Sequence, residues 1–256
     1  MSLDRSLESL ARRDRAVTLG AVITLAVLAW LYLVRLQGDM AAMAHAGMAM
    51  EPWTAHDALM AAAMWSVMMI AMMLPSAAPM ILMFATLNRK RRADTATPHV
   101  NTALFVAGYL AMWGSFSAAA AGAQWALQHA ALMAADAMRV GPRVAAAVLV
   151  AAAVYQVTPF KYACLARCHT PFGFLMAEWR AGNVGAFVMG VRHGLFCLGC
   201  CWLLMALLFV GGVMNLAWVA VLAGFVLLEK LVARRSVSWA SAAIMLGAAV
   251  WMISAR

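Results

Sequence analysis

His193, Cys197, Cys200 and Cys201 stand together in the run HGLFCLGCCW, inside a stretch apolar enough to cross a membrane. At about 100° per residue, the pattern HxxxCxxCC keeps all four side chains within one arc of roughly 100° on a helix. Soft thiolates select Cu(I) and also suit zinc. A histidine on the same face, half-buried in an apolar span, needs a polar partner that a bound ion would supply. Two other readings stay open. Small cysteines, with Gly190, Gly194 and Gly199, would let helices approach closely. Cys197-x-x-Cys200 would also serve as a redox dithiol, provided a partner reaches it near the bilayer centre. A closed structural zinc site fits less well, because no second cysteine pair is expected at that depth.

A second cluster, Cys164, Cys168 and His169, lies in YQVTPFKYACLARCHTP. If the preceding helix persists past Lys161, the spacing of four puts both thiols on one face. Pro171 ends such a helix soon afterwards. At the cytoplasmic mouth of a span, CxxxCH would accept an ion or deliver it to a soluble carrier.

Methionine supplies the third set. Met60, Met64, Met68 and Met72 repeat every four residues, with Met69 and Met73 beside them, so they form a slowly drifting stripe on one helix. The stripe is either a ladder of weak thioether ligands or flexible packing around rings such as Trp65. Upstream, the stretch 37–57 carries Met40, Met43, His45, Met48, Met50 and His56 without a Lys or Arg. Thioether and imidazole ligands suit soft copper. An amphipathic segment lying on the membrane surface is the alternative.

These residues need elements to place them. With 66% hydrophobic and 11% charged residues in 256, the chain cannot clothe a soluble surface. It reads as an all-α, polytopic membrane helix bundle. Seven spans are expected, near 16–36, 58–86, 101–126, 143–162, 184–209, 214–232 and 238–254, with a kink at Pro75 and Pro79 in the second. Residues 1–15 form a partly helical cytoplasmic tail, and 16–256 make up one bundle. No cleavable signal peptide is expected.

The net charge of +9 sits in short runs between spans. Arg5 to Arg15, Arg89 to Arg92, Lys161 to Arg180 and Lys230 to Arg235 share one side if the N-terminus is cytoplasmic and the C-terminus periplasmic. That pattern reports orientation and not a nucleic-acid partner. It places 37–57 in the periplasm and His193 in the inner half of its span. Cys197 then lies near the midplane, with Cys200 and Cys201 at about the depth where the methionine stripe ends. Arg192 and Glu229 are expected to pair across the fifth and sixth helices, and Lys230 to snorkel to the interface. Tyr155 and Gln156 would line the interior. No hydrolase triad, phosphate loop or nucleotide fold is present, and no catalytic residue is assigned.

The runs MWSVMMIAMMLPSAAPM, YQVTPFKYACLARCHTP, HGLFCLGCCW and GGVMNLAWV followed by LEK resemble a bacterial family of predicted metal-binding integral membrane proteins, a domain of unknown function. The resemblance covers roughly residues 55 to 235. It implies a metal, copper above others, held by Met64, Met68, Met69, Met72 and Met73 with Cys164, Cys168, Cys197, Cys200 and Cys201.

The expected function is therefore Cu(I) acquisition, transfer or delivery in a bacterial inner membrane, with zinc the lesser candidate. Capture would occur at Met43, His45 and Met48, and exchange at Cys164, Cys168 and His169. A soluble copper chaperone or apo-metalloenzyme would be the partner, within a membrane complex or homo-oligomer. The alternatives are a membrane oxidoreductase subunit using copper or thiols, and a metal-free scaffold subunit.

Overall fold

The computed structural model describes residues 2–45, 53–91, 98–134 and 138–254. Apart from one pair of two-residue strands, these residues form helices and their connections. Helix α1 (Ser2–His45) is followed by α2 (Ala55–Arg91) and α3 (Pro98–His129). Strands β1 (Met133–Ala134) and β2 (Arg139–Val140) pair antiparallel, Met133 opposite Val140. Then come α4 (Pro142–Gln156), α5 (Pro159–His169), α6 (Pro171–Glu178), α7 (Gly182–Ala206), α8 (Leu208–Gly211), α9 (Leu216–Val232) and α10 (Arg235–Ser254).

Among the described residues, five helices are long and apolar enough to cross a membrane, and α4 with α5 makes a sixth if the bent pair is one span. The segment expected as a sixth span is α9, only 17 residues long, against about 20 for a full crossing. The first helix is longer than expected. It runs through the tail and on to His45, because Ala and Met around 40–44 favour helix and no proline interrupts them. Part of the stretch expected as a loop is thus helical. Thr54 and Asp57 start α2 as a capping box, with the Thr54 N–H and hydroxyl both donating to the Asp57 carboxylate at 2.9 and 2.7 Å.

Helix α2 is the centre of the bundle. Met64, Met68, Met69, Met72 and Met73 are buried along it, as are Trp65, Leu74, Ile81 and Phe84. Helix α1 covers one side through a narrow seam of Val22, Ala26, Ala29 and Leu33. Its other faces are apolar and exposed, as are Val184, Ile244 and Trp251 on α7 and α10, which suits contact with lipid tails.

Helices α3 and α7 pack almost backbone to backbone. A Cβ on Gly108 would strike the Phe187 carbonyl, one on Gly190 the Phe105 carbonyl, and one on Gly194 the Met112 side chain at 2.7 Å. Small residues permit that approach, as membrane helix pairs require. It presses the His193–Cys201 face of α7 toward Tyr109 of α3.

The fourth expected span is not continuous. Helix α4 stops at Gln156, and α5 leaves at an angle of 67°. Pro159 cannot donate to the preceding turn and forces Thr158 into extended backbone, at φ −74° and ψ 146°. Thr158 closes both ends of the break. Its hydroxyl donates to the Tyr155 carbonyl at 2.8 Å and accepts from the Lys161 N–H at 3.3 Å. Interrupted backbone is tolerable in so apolar a bundle because it is satisfied inside the protein.

Candidate metal centre

Four thiols meet where α5 folds back onto α7. Cys197, Cys200 and Cys201 are buried on α7, at 1–2% exposure. Both Cys200 and Cys201 donate to the Cys197 carbonyl at 3.0 Å. From α5, the half-buried Cys168 packs against the core beside the α7 cysteines, close enough to Cys197 and Cys200 to interact with them electrostatically, as Cys201 does. Cys164, one turn earlier, packs toward Gly199, where an added Cβ would come within 2.8 Å of its sulfur. The spacing of four does put both α5 thiols on one face. That face meets the α7 cysteines instead of forming a separate mouth. The expectation that no second cysteine pair shares their depth is therefore corrected, and the cause is the bend at Thr158–Pro159.

A closed ring of polar contacts holds Cys197. Lys230 of α9 donates to Cys197 Sγ at 3.0 Å and to Ser76 Oγ of α2 at 2.7 Å. Ser76 donates to the Met73 carbonyl at 2.8 Å. The Tyr109 hydroxyl lies 3.1 Å from that carbonyl and 3.1 Å from Cys197 Sγ. Lys230 is buried, so the expected snorkelling does not occur. Its neighbour Glu229 points elsewhere on α9, and two adjacent charges about 100° apart cannot both reach the interface sideways.

Glu229 does not pair with Arg192. It takes the Lys161 ammonium at 2.6 Å, with both side chains buried. Gln156 donates to Glu229 at 3.0 Å and to Ser241 at 2.7 Å, and it also accepts from Lys161. Arg192 pairs instead with Glu178 at the end of α6. The helix break delivers Lys161 to Glu229, and the short α6 delivers Glu178 to Arg192, so both acids are taken before the expected pair forms. Gln156 does line the interior, and the Tyr155 hydroxyl donates to the Gly199 carbonyl.

The histidines flank the cluster. His169 Nδ1 lies 2.8 Å from the Lys230 carbonyl. A carbonyl only accepts, so Nδ1 carries a proton and Nε2 is the ring nitrogen turned away from that contact. His193 is buried with its ring against Phe105, Tyr109 and Phe174 at centroid distances of 5.5–6.1 Å. Its Nδ1 has no hydrogen-bond partner among the described residues. Both histidines, with Ser76, Met80, Cys168 and Lys230, line a cavity of about 150 Å³.

Among the described residues, no three His, Cys, Asp or Glu side chains form a ready metal-holding set. The thiols are engaged with one another, with the Cys197 carbonyl and with Lys230. The donor chemistry nevertheless suits a soft ion. A monovalent d10 ion is satisfied by two thiolates, so holding one here would require two thiols to turn from their present partners. A tetrahedral zinc site would require four donors at once.

From Met64 to Met73 the methionine stripe packs in the core, while Met60 is exposed, and what reaches Cys197 from it is the Met73 backbone carbonyl, through Tyr109. Cys197 thus stands level with the lower end of the stripe. The side chains of Met43 and His45, and Met48 entirely, lie outside the described residues. Lys230, Tyr109, Ser76 and Met80 were missed as neighbours of the cysteines. The adjacent Glu229 and Lys230 in an apolar helix were the one available signal.

Comparison with known families gives a match over most of the chain. The PpoB2 family, described as a copper chaperone, matches residues 62–253, a span that takes in all five cysteines and well over half of the chain. No curated protein and no solved structure matches the chain. The copper expected from the ligand types agrees with that description, and the match embraces most of the region that carried the sequence resemblance. The chain belongs to the PpoB2 copper chaperone family.

Proposed function

We propose that the protein is a multi-pass inner-membrane copper chaperone whose cargo is Cu(I), held by thiolates drawn from Cys168, Cys197, Cys200 and Cys201. The observation that carries this reading is the packing of α5, with Cys164 and Cys168, against the α7 helix that buries Cys197, Cys200 and Cys201. His169 and His193 serve as accessory donors at the cavity, where the ion enters or leaves. Cys164 supports the cluster from the adjoining turn. The segment with Met43, His45 and Met48 captures copper on the periplasmic side, and the stripe from Met64 to Met73 eases its approach. Delivery is to an apo-metalloenzyme or a soluble carrier.

An N-terminus in the cytoplasm is part of this proposal. Its support is that basic groups gather at one end of the bundle. Arg15 donates to Thr86 at 3.4 Å, and Arg91 stacks over Trp179, beside Arg180.

Anaerobic purification in detergent, with copper and free thiols counted per chain, tests the assignment. Copper at a fixed ratio, lost on Cys197→Ser/Cys200→Ser/Cys201→Ser, is the expected result. A metal-free chain with five unreactive thiols would overturn it, and bound copper with thiol-oxidase turnover would move the protein to the redox class.

A further inference from the structure

A cavity of about 470 Å³ opens where the end of α2, the start of α3 and the start of α7 come together. It shares no lining residue with the cavity beside the cysteines. Its volume falls within the roughly 300–1,000 Å³ usual for small-molecule sites. Arg91 and Arg180 line it and are exposed. Among the described residues no carboxylate lies within ion-pair distance of either. Arg91 is held over the Trp179 ring, 4.6 Å from its centroid, and reaches Met176 Sδ at 3.8 Å. The first turn of α7 adds Gly182 and Ala186 to the lining, with Ala181 at the cap position and no side chain capping it. Its open N–H groups and the positive end of the helix suit an anion. A separate feature comes from the interior. Asn101 also lines the cavity and is 2% exposed. Its amide nitrogen donates to Asn88 Oδ1 at 3.3 Å, while its own Oδ1 has no hydrogen-bond partner among the described residues. A buried acceptor of this kind calls for a donor, which a bare phosphodiester cannot supply.

We propose that this cavity binds a phosphate ester whose substituent carries a hydroxyl, taken from the membrane as the headgroup of an anionic phospholipid such as phosphatidylglycerol. The phosphate sits between Arg91, Arg180 and the first turn of α7, and a headgroup hydroxyl donates to Asn101 Oδ1. Arginine binds phosphate through two parallel N–H donors, which a mobile headgroup needs in order to be held in one orientation. The surroundings favour a lipid over a soluble ester. Val100 on α3, with Val184 and Phe187 on α7, flank the lining residues in sequence and are exposed and apolar. Both helices are long and apolar enough to cross a membrane. Arginine and tryptophan together at the ends of such helices mark the membrane–water interface, where basic pockets between helices take anionic headgroups. The inference goes beyond the copper reading and does not depend on it.

The test is native mass spectrometry of the full chain in detergent, titrated with one lipid at a time. The wild type is expected to bind phosphatidylglycerol about tenfold more tightly than phosphatidylcholine, which is zwitterionic and has no hydroxyl. It should also prefer phosphatidylglycerol to phosphatidylmethanol, which keeps the anionic phosphodiester and lacks the hydroxyl. Arg91→Gln/Arg180→Gln should abolish the first preference, and Asn101→Ala the second alone. Equal binding of the three lipids overturns the proposal, as does a preference for phosphatidylglycerol that survives loss of both arginines. Glycerol phosphate that binds as tightly as the lipid overturns the membrane source. Should Asn101→Ala not assemble, the wild type decides alone, since equal affinity for phosphatidylglycerol and phosphatidylmethanol overturns the role of the hydroxyl.

Discussion

The Tyr109 hydroxyl stands 3.1 Å from Cys197 Sγ and 3.1 Å from the Met73 carbonyl, yet it has one hydrogen to give. It therefore serves either the carbonyl or a thiolate. Were Cys197 to ionise and take an ion, as proposed, the hydroxyl would turn to it while Ser76 continued to satisfy the carbonyl. Tyr109→Phe should weaken Ag(I) or Cu(I) binding by roughly 10- to 100-fold, since hydrogen bonds to charged groups are worth about 1.5–3 kcal/mol. Chelator competition reads the loss, and an unchanged affinity would show that the hydroxyl only packs.

Cys168 and Cys164 should behave differently despite sharing a helix face. Of the two, Cys168 interacts with both Cys197 and Cys200, whereas Cys164 packs against Gly199. Cys168→Ser is expected to lower copper retention by more than about tenfold, and Cys164→Ser to change it much less. Copper per chain after dialysis against a weak chelator separates the two. Equal losses would contradict the assignment of Cys168.

Breaking the Lys161–Glu229 pair should be costlier than removing it. Glu229→Gln leaves a fully buried ammonium without its anion, a loss on the order of 3–5 kcal/mol. The double change Lys161→Met/Glu229→Gln should recover most of that stability. Thermal unfolding in detergent, followed by tryptophan fluorescence, measures both. A single variant as stable as the wild type would mean that water reaches the pair.

The glycine seam gives a paired prediction. Gly190→Ala must push α7 away from the Phe105 carbonyl and should cost about 1–3 kcal/mol, as overpacking does. Gly224 of α9 has nothing within 4 Å of an added Cβ. Gly224→Ala should be neutral or slightly stabilising, by up to about 1 kcal/mol. Melting temperatures of the two variants in one detergent settle the contrast.

Met68→Leu and Met72→Leu conserve volume and should each cost less than about 1.5 kcal/mol. Copper per chain is expected to stay at the wild-type ratio, while loading slows in the double variant. Stopped-flow Ag(I) uptake reports the rate. Loss of stoichiometry would make these thioethers ligands of the stored ion.

How much of this was legible in the chain depends on what a helix period can say. The HxxxCxxCC spacing correctly put His193, Cys197, Cys200 and Cys201 on one buried face, and the four-residue spacing did the same for Cys164 and Cys168. Period assigns faces but not partners. That Cys168 meets Cys197 depends on a turn of 67° at Thr158–Pro159, and a proline announces a break without its direction. Lys230 was misread because a lysine near a helix end usually finds water, whereas here the helix is short and α2 presents Ser76 to it. The glycines of α7 were legible as packing residues, and they do bring α3 and α7 together.

Glu229 and Lys230, neighbours on α9, each engage a different set of partners, one on α4, α5 and α10 and the other on α2 and α7. They act as two adjacent teeth on a spindle. Turning α9 about its axis in either direction would disengage both at once and strand two charges, so α9 is a fixed shaft. At the proposed copper site, uptake and release would then fall to side chains swinging around a stationary frame, with the speed of exchange set by thiols and one ammonium changing rotamer.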